Sequence, residues 1–151
     1  MAGFRFRLAT LLKLRESTRD ERRRHLAQAL EAMQILQGRI ADCQREQREL
    51  LELSRSRGQG SSVDVDHLLE WNRYQWQLKH DEQVLEGQVK KVAEEVEKRR
   101  LALVEADRGV KTLEKLRDRQ HERYQHEQSR REASRLDEVA NQLSAWREVS
   151  P

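Results

Sequence analysis

The sequence predicts an all-α fold, a long two-helix antiparallel coiled-coil hairpin with a C-terminal helix overhang. Three observations lead there. Apolar residues recur in alternating steps of three and four in both halves of the chain. One short glycine- and serine-rich patch separates the halves. The single proline, Pro151, is the last residue, so proline breaks neither half.

Composition agrees. Of 151 residues, 38% are charged and 36% hydrophobic. That is too little apolar material for a thick globular core, but enough for a narrow seam between helices. Abundant Ala, Glu, Lys, Leu, Arg and Gln with helical periodicity point the same way. So polar a chain is also compatible with disorder, but regular apolar spacing argues against it.

In the first half the seam reads Leu26, Ala29, Met33, Leu36, Ile40, Cys43, Gln47 and Leu50. All but Gln47 are apolar, a heptad pattern that a strand cannot produce. Backwards, the same frame meets Arg22, Arg19, Arg15, Leu12, Leu8 and Arg5. The seam turns basic and then apolar again. Gly58, Gly60 and the serines around them predict a loop, after which Ser62 or Asp64 offers a capping oxygen. The second seam runs Leu68, Trp71, Gln75, Leu78, Glu82, Leu85, Val89, Val92, Val96, Arg99, Leu103, Ala106, Val110 and Leu113. It continues less cleanly through Leu116, Tyr124, Leu136, Val139, Leu143 and Trp146. The expected organisation is one domain, 1–151, with a helix over 4–54, a loop over 55–63 and a helix over 64–148.

A short loop between long helices makes an antiparallel pair. Facing residues whose numbers sum to about 118 sets Leu50 against Leu68, Ile40 against Leu78, Met33 against Leu85, Ala29 against Val89 and Leu26 against Val92. The same register sets Arg19 against Arg99, which predicts a loosened stretch near Arg15–Arg22 and Val96–Leu103. At 1.5 Å per residue the helices span roughly 75–80 Å and 120 Å. The first runs out opposite about Leu113, leaving an overhang whose apolar side chains lack an internal partner. Gly38, Gly87 and Gly109 fall off the seam, and each costs about 1 kcal/mol against Ala.

Function classes narrow by exclusion. Two helices offer no concave pocket to converge a nucleophile and a base, so no catalytic residue, cofactor or enzyme activity is expected. His121 and His126 are five apart and diverge on a helix, which is poor spacing for a metal. Gly58-Gln-Gly60 is too short for a phosphate loop. Cys43, the only cysteine, forms no internal disulfide and reads as a small core residue. Residues 1–14 carry three charged side chains, Arg5, Arg7 and Lys13, among their apolar residues, unlike a secretion signal. No apolar run approaches the roughly 20 residues that cross a bilayer. The chain is therefore expected in the cytoplasm.

Net charge is +3, from 30 basic and 27 acidic residues. That is a balanced surface rather than a polycation, and nucleic acid is not expected as a partner. Residues 1–24 are the most positive segment, with eight basic and three acidic side chains. Among the aromatics, Trp71 lies on the seam, Tyr74 flanks it and Trp76 falls off it. An exposed Trp76 is either a binding anchor or partly packed over neighbouring stems.

The opening Phe4-Arg-Phe-Arg-Leu-Ala-Thr-Leu-Leu-Lys-Leu-Arg-Glu16 resembles the start of the FliJ family, the flagellar type III export stalk proteins. Leu113-Glu-Lys-Leu116, Arg123-Tyr124 and Leu136-Asp-Glu138 resemble the end of that family's second helix, in the same order. The resemblance implies a non-enzymatic stalk, akin to the rotor stalk of rotary ATPases. Its implied partners are the hexameric flagellar export ATPase, whose assembly and activity it promotes, the cytoplasmic domain of the export gate, and export chaperones. It would lie peripherally at the inner-membrane export apparatus through those proteins. Carried onto this sequence, ring contacts would fall on Phe4, Arg5, Phe6, Arg7, Leu116, Arg117, Tyr124 and Asp137. Gate contacts would fall on Trp71, Tyr74 and Trp76. The alternatives are a structural coiled-coil scaffold and the related injectisome secretion stalk.

Overall fold

The computed structural model describes residues 3–57 and 65–149. Two helices, α1 (Ala9–Arg57) and α2 (Val65–Val149), pack antiparallel against each other. There is no strand among the described residues. The chain divides into two compact units: Met1–Arg19 with Glu105–Pro151, and Asp20–Val104.

Both helices are held locally as well as by packing. Glu95–Arg99 at 2.8 Å and Asp107–Lys111 at 2.8 Å place the acid four residues before the base, the favourable sense along a helix. Arg45–Asp42 at 2.7 Å and Arg108–Glu105 at 3.0 Å add pairs at a spacing of three. Exposed pairs of this kind contribute little individually. Asp66 in the first turn of α2 complements the helix dipole. The predicted caps Ser62 and Asp64, and most of the predicted loop, lie outside the described residues.

The first helix begins at Ala9 rather than at residue 4. Residues 3–6 are irregular and residues 7–8 form a turn. The Ala9 amide donates to the Phe6 carbonyl at 3.3 Å, and the Leu12 amide to Leu8 at 2.9 Å. Burying Phe6 takes this segment out of helix, as described below. At its other end α1 continues through Arg57, so residues 55–57, expected in the loop, are helical.

The predicted seams are the covered faces of both helices. In the Asp20–Val104 unit, Ala29 and Leu78 are buried. Leu26, Met33, Leu36, Ile40, Cys43, Gln47 and Leu50 are half-buried, as are Trp71, Gln75, Glu82, Leu85, Val89, Val92, Val96, Arg99 and Leu103. Leu68 is the exception and stands exposed. The core is one side chain thick, as its composition requires.

The register differs from the one that heptads alone predict. Gln44 Nε2 donates to Glu82 Oε1 at 2.7 Å, and Gln47 Nε2 to Glu82 Oε2 at 2.9 Å. The Tyr74 hydroxyl donates to Glu46 Oε2 at 3.1 Å. Arg99 Nη1 donates to the His25 carbonyl at 2.6 Å. The Gln44, Gln47 and His25 pairs sum to 124–129, nearest to 125 and one heptad from 118, while the long Tyr74 side chain reaches Glu46 at a sum of 120. A seven-residue pattern lets apolar positions meet in either register, so polar groups decide. The observed register gives the Glu82 carboxylate two amide donors, whereas the other would set it at the level of Leu36. Arg99, expected to face a second arginine, instead bonds the His25 carbonyl and Glu95. The amides of Gln44 and Gln47 hold the Glu82 carboxyl below the usual glutamate range.

In the other unit, the side chain of Arg15 lies level with Gly109, in keeping with this register. The N-terminal segment then reaches His121 and Tyr124 through Phe4. Cover thus extends about ten residues beyond Leu113, because in the observed register position 4 falls level with residue 121 rather than 114. From Ser129 to Trp146 every residue of α2 is exposed, including Leu136, Val139, Leu143 and Trp146.

Two outcomes follow from this packing. A Cβ added at Gly38 or Gly87 meets nothing within 4 Å, and neither residue has a positive φ. Replacing both by Ala should add about 1 kcal/mol each, read as a rise in urea midpoint and melting temperature. The Glu82 carboxyl is depressed by folding, so its contribution is present above the ordinary glutamate pKa. It is lost as pH falls through the lower folded value. Glu82→Gln should therefore lose less stability than the native chain between pH 7 and pH 3, measured by urea titration at each pH.

Candidate functional site

Two surfaces carry the residues that the sequence singles out. The first is built on the N-terminal segment. Phe6 is 8% exposed and forms a small core with Leu12 and Val110, the last fully buried; Phe4 and Leu113 pack against it. The ring of Phe4 meets the edge of His121, with centroids 5.0 Å apart and planes at 69°. It also lies 5.8 Å from the Tyr124 ring at 48°. Such aromatic pairs contribute about 0.5–1.5 kcal/mol beyond area burial.

Arg5 and Arg7 are exposed. Burying Phe4 and Phe6 leaves Arg5 between them, and Arg7 in the turn that follows, facing solvent. The Phe-Arg-Phe-Arg alternation was the available sign that the chain does not open as a helix. It also separates roles within the predicted contact set. Phe6 is an internal anchor and Phe4 a half-buried one, while Arg5 and Arg7 form the outward charge.

The remaining predicted members are spread along α2. Leu116 is exposed and adjoins the same end. Arg117 is half-buried, and its Nε and Nη2 both donate to Asp118 Oδ1, at 3.1 and 3.0 Å. Tyr124 is half-buried against Phe4. Asp137 is exposed on the overhang, thirteen residues beyond Tyr124, and so stands apart from the others. Sequence reasoning missed Leu8, Leu11 and Leu14, all exposed beside the buried Leu12. The heptad frame includes Leu8, but Leu8 falls in the turn, where that frame no longer applies.

The second surface lies in the Asp20–Val104 unit. Trp71 is half-buried on the seam. Tyr74 is exposed and tied across the pair by its bond to Glu46, which pushes its hydroxyl pKa up. Trp76 is 76% exposed. With Leu69, Asn72, Arg73, Gln77 and His80 it lines a shallow groove along the outer face of α2. The groove combines an aromatic wall with a cation and two amides.

Neither surface assembles a reaction centre. Among the described residues no group of three or more His, Cys, Asp or Glu is placed to hold a metal ion. Cys43 is free and half-buried. Burial, followed by Glu46, Asp81, Glu82 and Asp42, pushes its thiol pKa up, which disfavours the reactive thiolate. No helix is long and apolar enough to cross a membrane among the described residues.

The fold and its surfaces define a two-helix protein that presents open contact faces. Within that class the chain belongs to the FliJ family: the family model described as "Flagellar FliJ protein" matches residues 4–148, nearly the whole chain. Membership makes it a flagellar, export-related protein. No curated protein and no solved structure matches it.

The anchor role of Phe6 has a measurable consequence. Phe6→Ala should cost about 3 kcal/mol, and Phe4→Ala about 1 kcal/mol, in urea unfolding followed by circular dichroism. Equal, negligible losses would mean that the segment is not docked in solution.

Proposed function

We propose that this protein is a non-enzymatic stalk of the flagellar export apparatus that engages the hexameric export ATPase through its strap-bearing end. The family match over residues 4–148 carries the reading. The strap gives it a physical basis. Phe4 and Phe6 hold a short segment against α2, and Arg5 and Arg7 project from it. Exposed Leu8, Leu11 and Leu116 surround that charge with apolar surface. A basic, partly apolar end suits a ring surface that offers carboxylates and hydrophobic side chains, because complementary charge speeds encounter and fixes orientation. Promotion of ring assembly, and with it hydrolysis, follows if one such end touches several subunits at once.

The groove beside Trp76 is the proposed contact for the export gate, with Trp71 and Tyr74 supporting it from the seam side. A large exposed indole among polar neighbours is the kind of residue that dominates interface energy. A chain bound to both ATPase and gate would link them, and export chaperones would share its exposed helical faces.

The test is the hydrolysis rate of the export ATPase from the same genome, titrated with this protein. The native chain should accelerate hydrolysis or drive ring assembly. Arg5→Glu with Arg7→Glu should raise the half-saturating concentration about tenfold while leaving the melting temperature unchanged, as expected for two exposed charges at an interface rim. No acceleration by the native chain at saturation would reject the stalk in favour of a scaffold.

A further inference from the structure

One apolar seam residue of the Asp20–Val104 unit is left out of the packing. Leu68 sits in the heptad frame of α2, yet it is 48% exposed, while its frame neighbours Trp71, Gln75 and Leu78 are covered. In the observed register no apolar seam residue of the described part of α1 reaches its level. In the alternative register it would lie at the level of Leu50.

We infer that the coil of residues 20–104 has a second register, one heptad from the observed one, and that α1 and α2 slide between the two. The apolar layers of the two registers balance closely. Observed pairing puts Ile40 level with Leu85, Leu36 with Val89, Met33 with Val92 and Ala29 with Val96. The slid pairing puts Leu50 level with Leu68, Ile40 with Leu78, Met33 with Leu85, Ala29 with Val89 and Leu26 with Val92. Both keep every seam position against a seam position, and the slid one has at least as many wholly apolar layers.

The balance is tipped by polar groups. The observed register supplies Gln44 and Gln47 to Glu82 and the His25 carbonyl to Arg99. The slid one sets Glu82 level with Leu36 and gives up those bonds, which are exposed or only part-buried. Within residues 20–104 bonds of that kind contribute modestly in net terms; because both helices are continuous, the slide also draws Leu12 off Val110, and a partner must offset both. One heptad corresponds to a displacement of about 10 Å between the helices. A partner that favours the slid register at one place on the coil would therefore move the opposing face by that distance. This device does not depend on the identity of the partner.

Thiol pairs read the register directly, because a disulfide needs Cα atoms within about 7 Å. Gln75→Cys in the native chain tests the slid register, since position 75 then meets Cys43. Leu50→Cys with Gln75→Cys and Cys43→Ser tests the observed register. Met33→Cys with Gln75→Cys and Cys43→Ser faces in neither and measures closure through unfolding. All three are oxidised mildly at a temperature well below melting, and intramolecular closure is followed by gel shift and mass spectrometry. The observed-register pair should close fastest. The Cys43 pair should close at least tenfold faster than the Met33 control, and Glu82→Leu should accelerate it about fivefold further. Closure of the Cys43 pair no faster than the control, with and without Glu82→Leu, overturns the second register.

Discussion

The polar layer around Glu82 is the constraint on which the arrangement of α1 against α2 depends. Apolar seam residues pull two helices together but cannot say which heptad meets which, because a methyl surface is satisfied by any other. A carboxylate is not so tolerant. Glu82 needs donors, and Gln44 and Gln47 supply them from the facing helix. Arg99 likewise needs an acceptor and finds the His25 carbonyl. These few bonds add little to total stability, yet they set the level at which every other side chain sits. Polar seam positions act this way in other coiled coils, trading stability for register.

Placement of the N-terminal segment follows from the same economy of apolar surface. The strap places Phe6 over Leu12 and Val110 and uses Phe4 to cover α2 at His121 and Tyr124. It thereby turns the seam residues of one helix end into a small closed core. The cost is that Leu8, Leu11 and Leu14 are left facing water. Surface of that kind, next to Arg5 and Arg7, is what gives this end its recognisable chemistry.

Much of this was legible in the residues themselves. The three–four spacing identified both covered faces nearly residue by residue, because burial in a two-helix pair depends on little else. Exposure of Trp76 and partial burial of Trp71 followed from the same frame. Register was not legible from apolar spacing, since a seven-residue repeat is degenerate under a shift of seven. It required asking which partner each polar seam residue would find. The strap was missed for a different reason. A heptad frame extended backwards from Leu12 assumes a helix, whereas the Phe-Arg-Phe-Arg alternation has the period of extended chain. The candidate contacts divided accordingly: the arginines stayed outside, and Phe6 went in.

A core only one side chain thick has a consequence for how such a chain changes over time. Each layer touches only the layers before and after it, so the coil of residues 20–104 approximates a linear array rather than a three-dimensional jigsaw. Adding or deleting a matched pair of heptads between Ala29 and Leu78 would leave both flanking regions with their own neighbours intact. The length of the coil of residues 20–104 is thus adjustable in steps of about 10 Å without rebuilding the layers on either side. Length becomes a property that can be tuned separately from recognition.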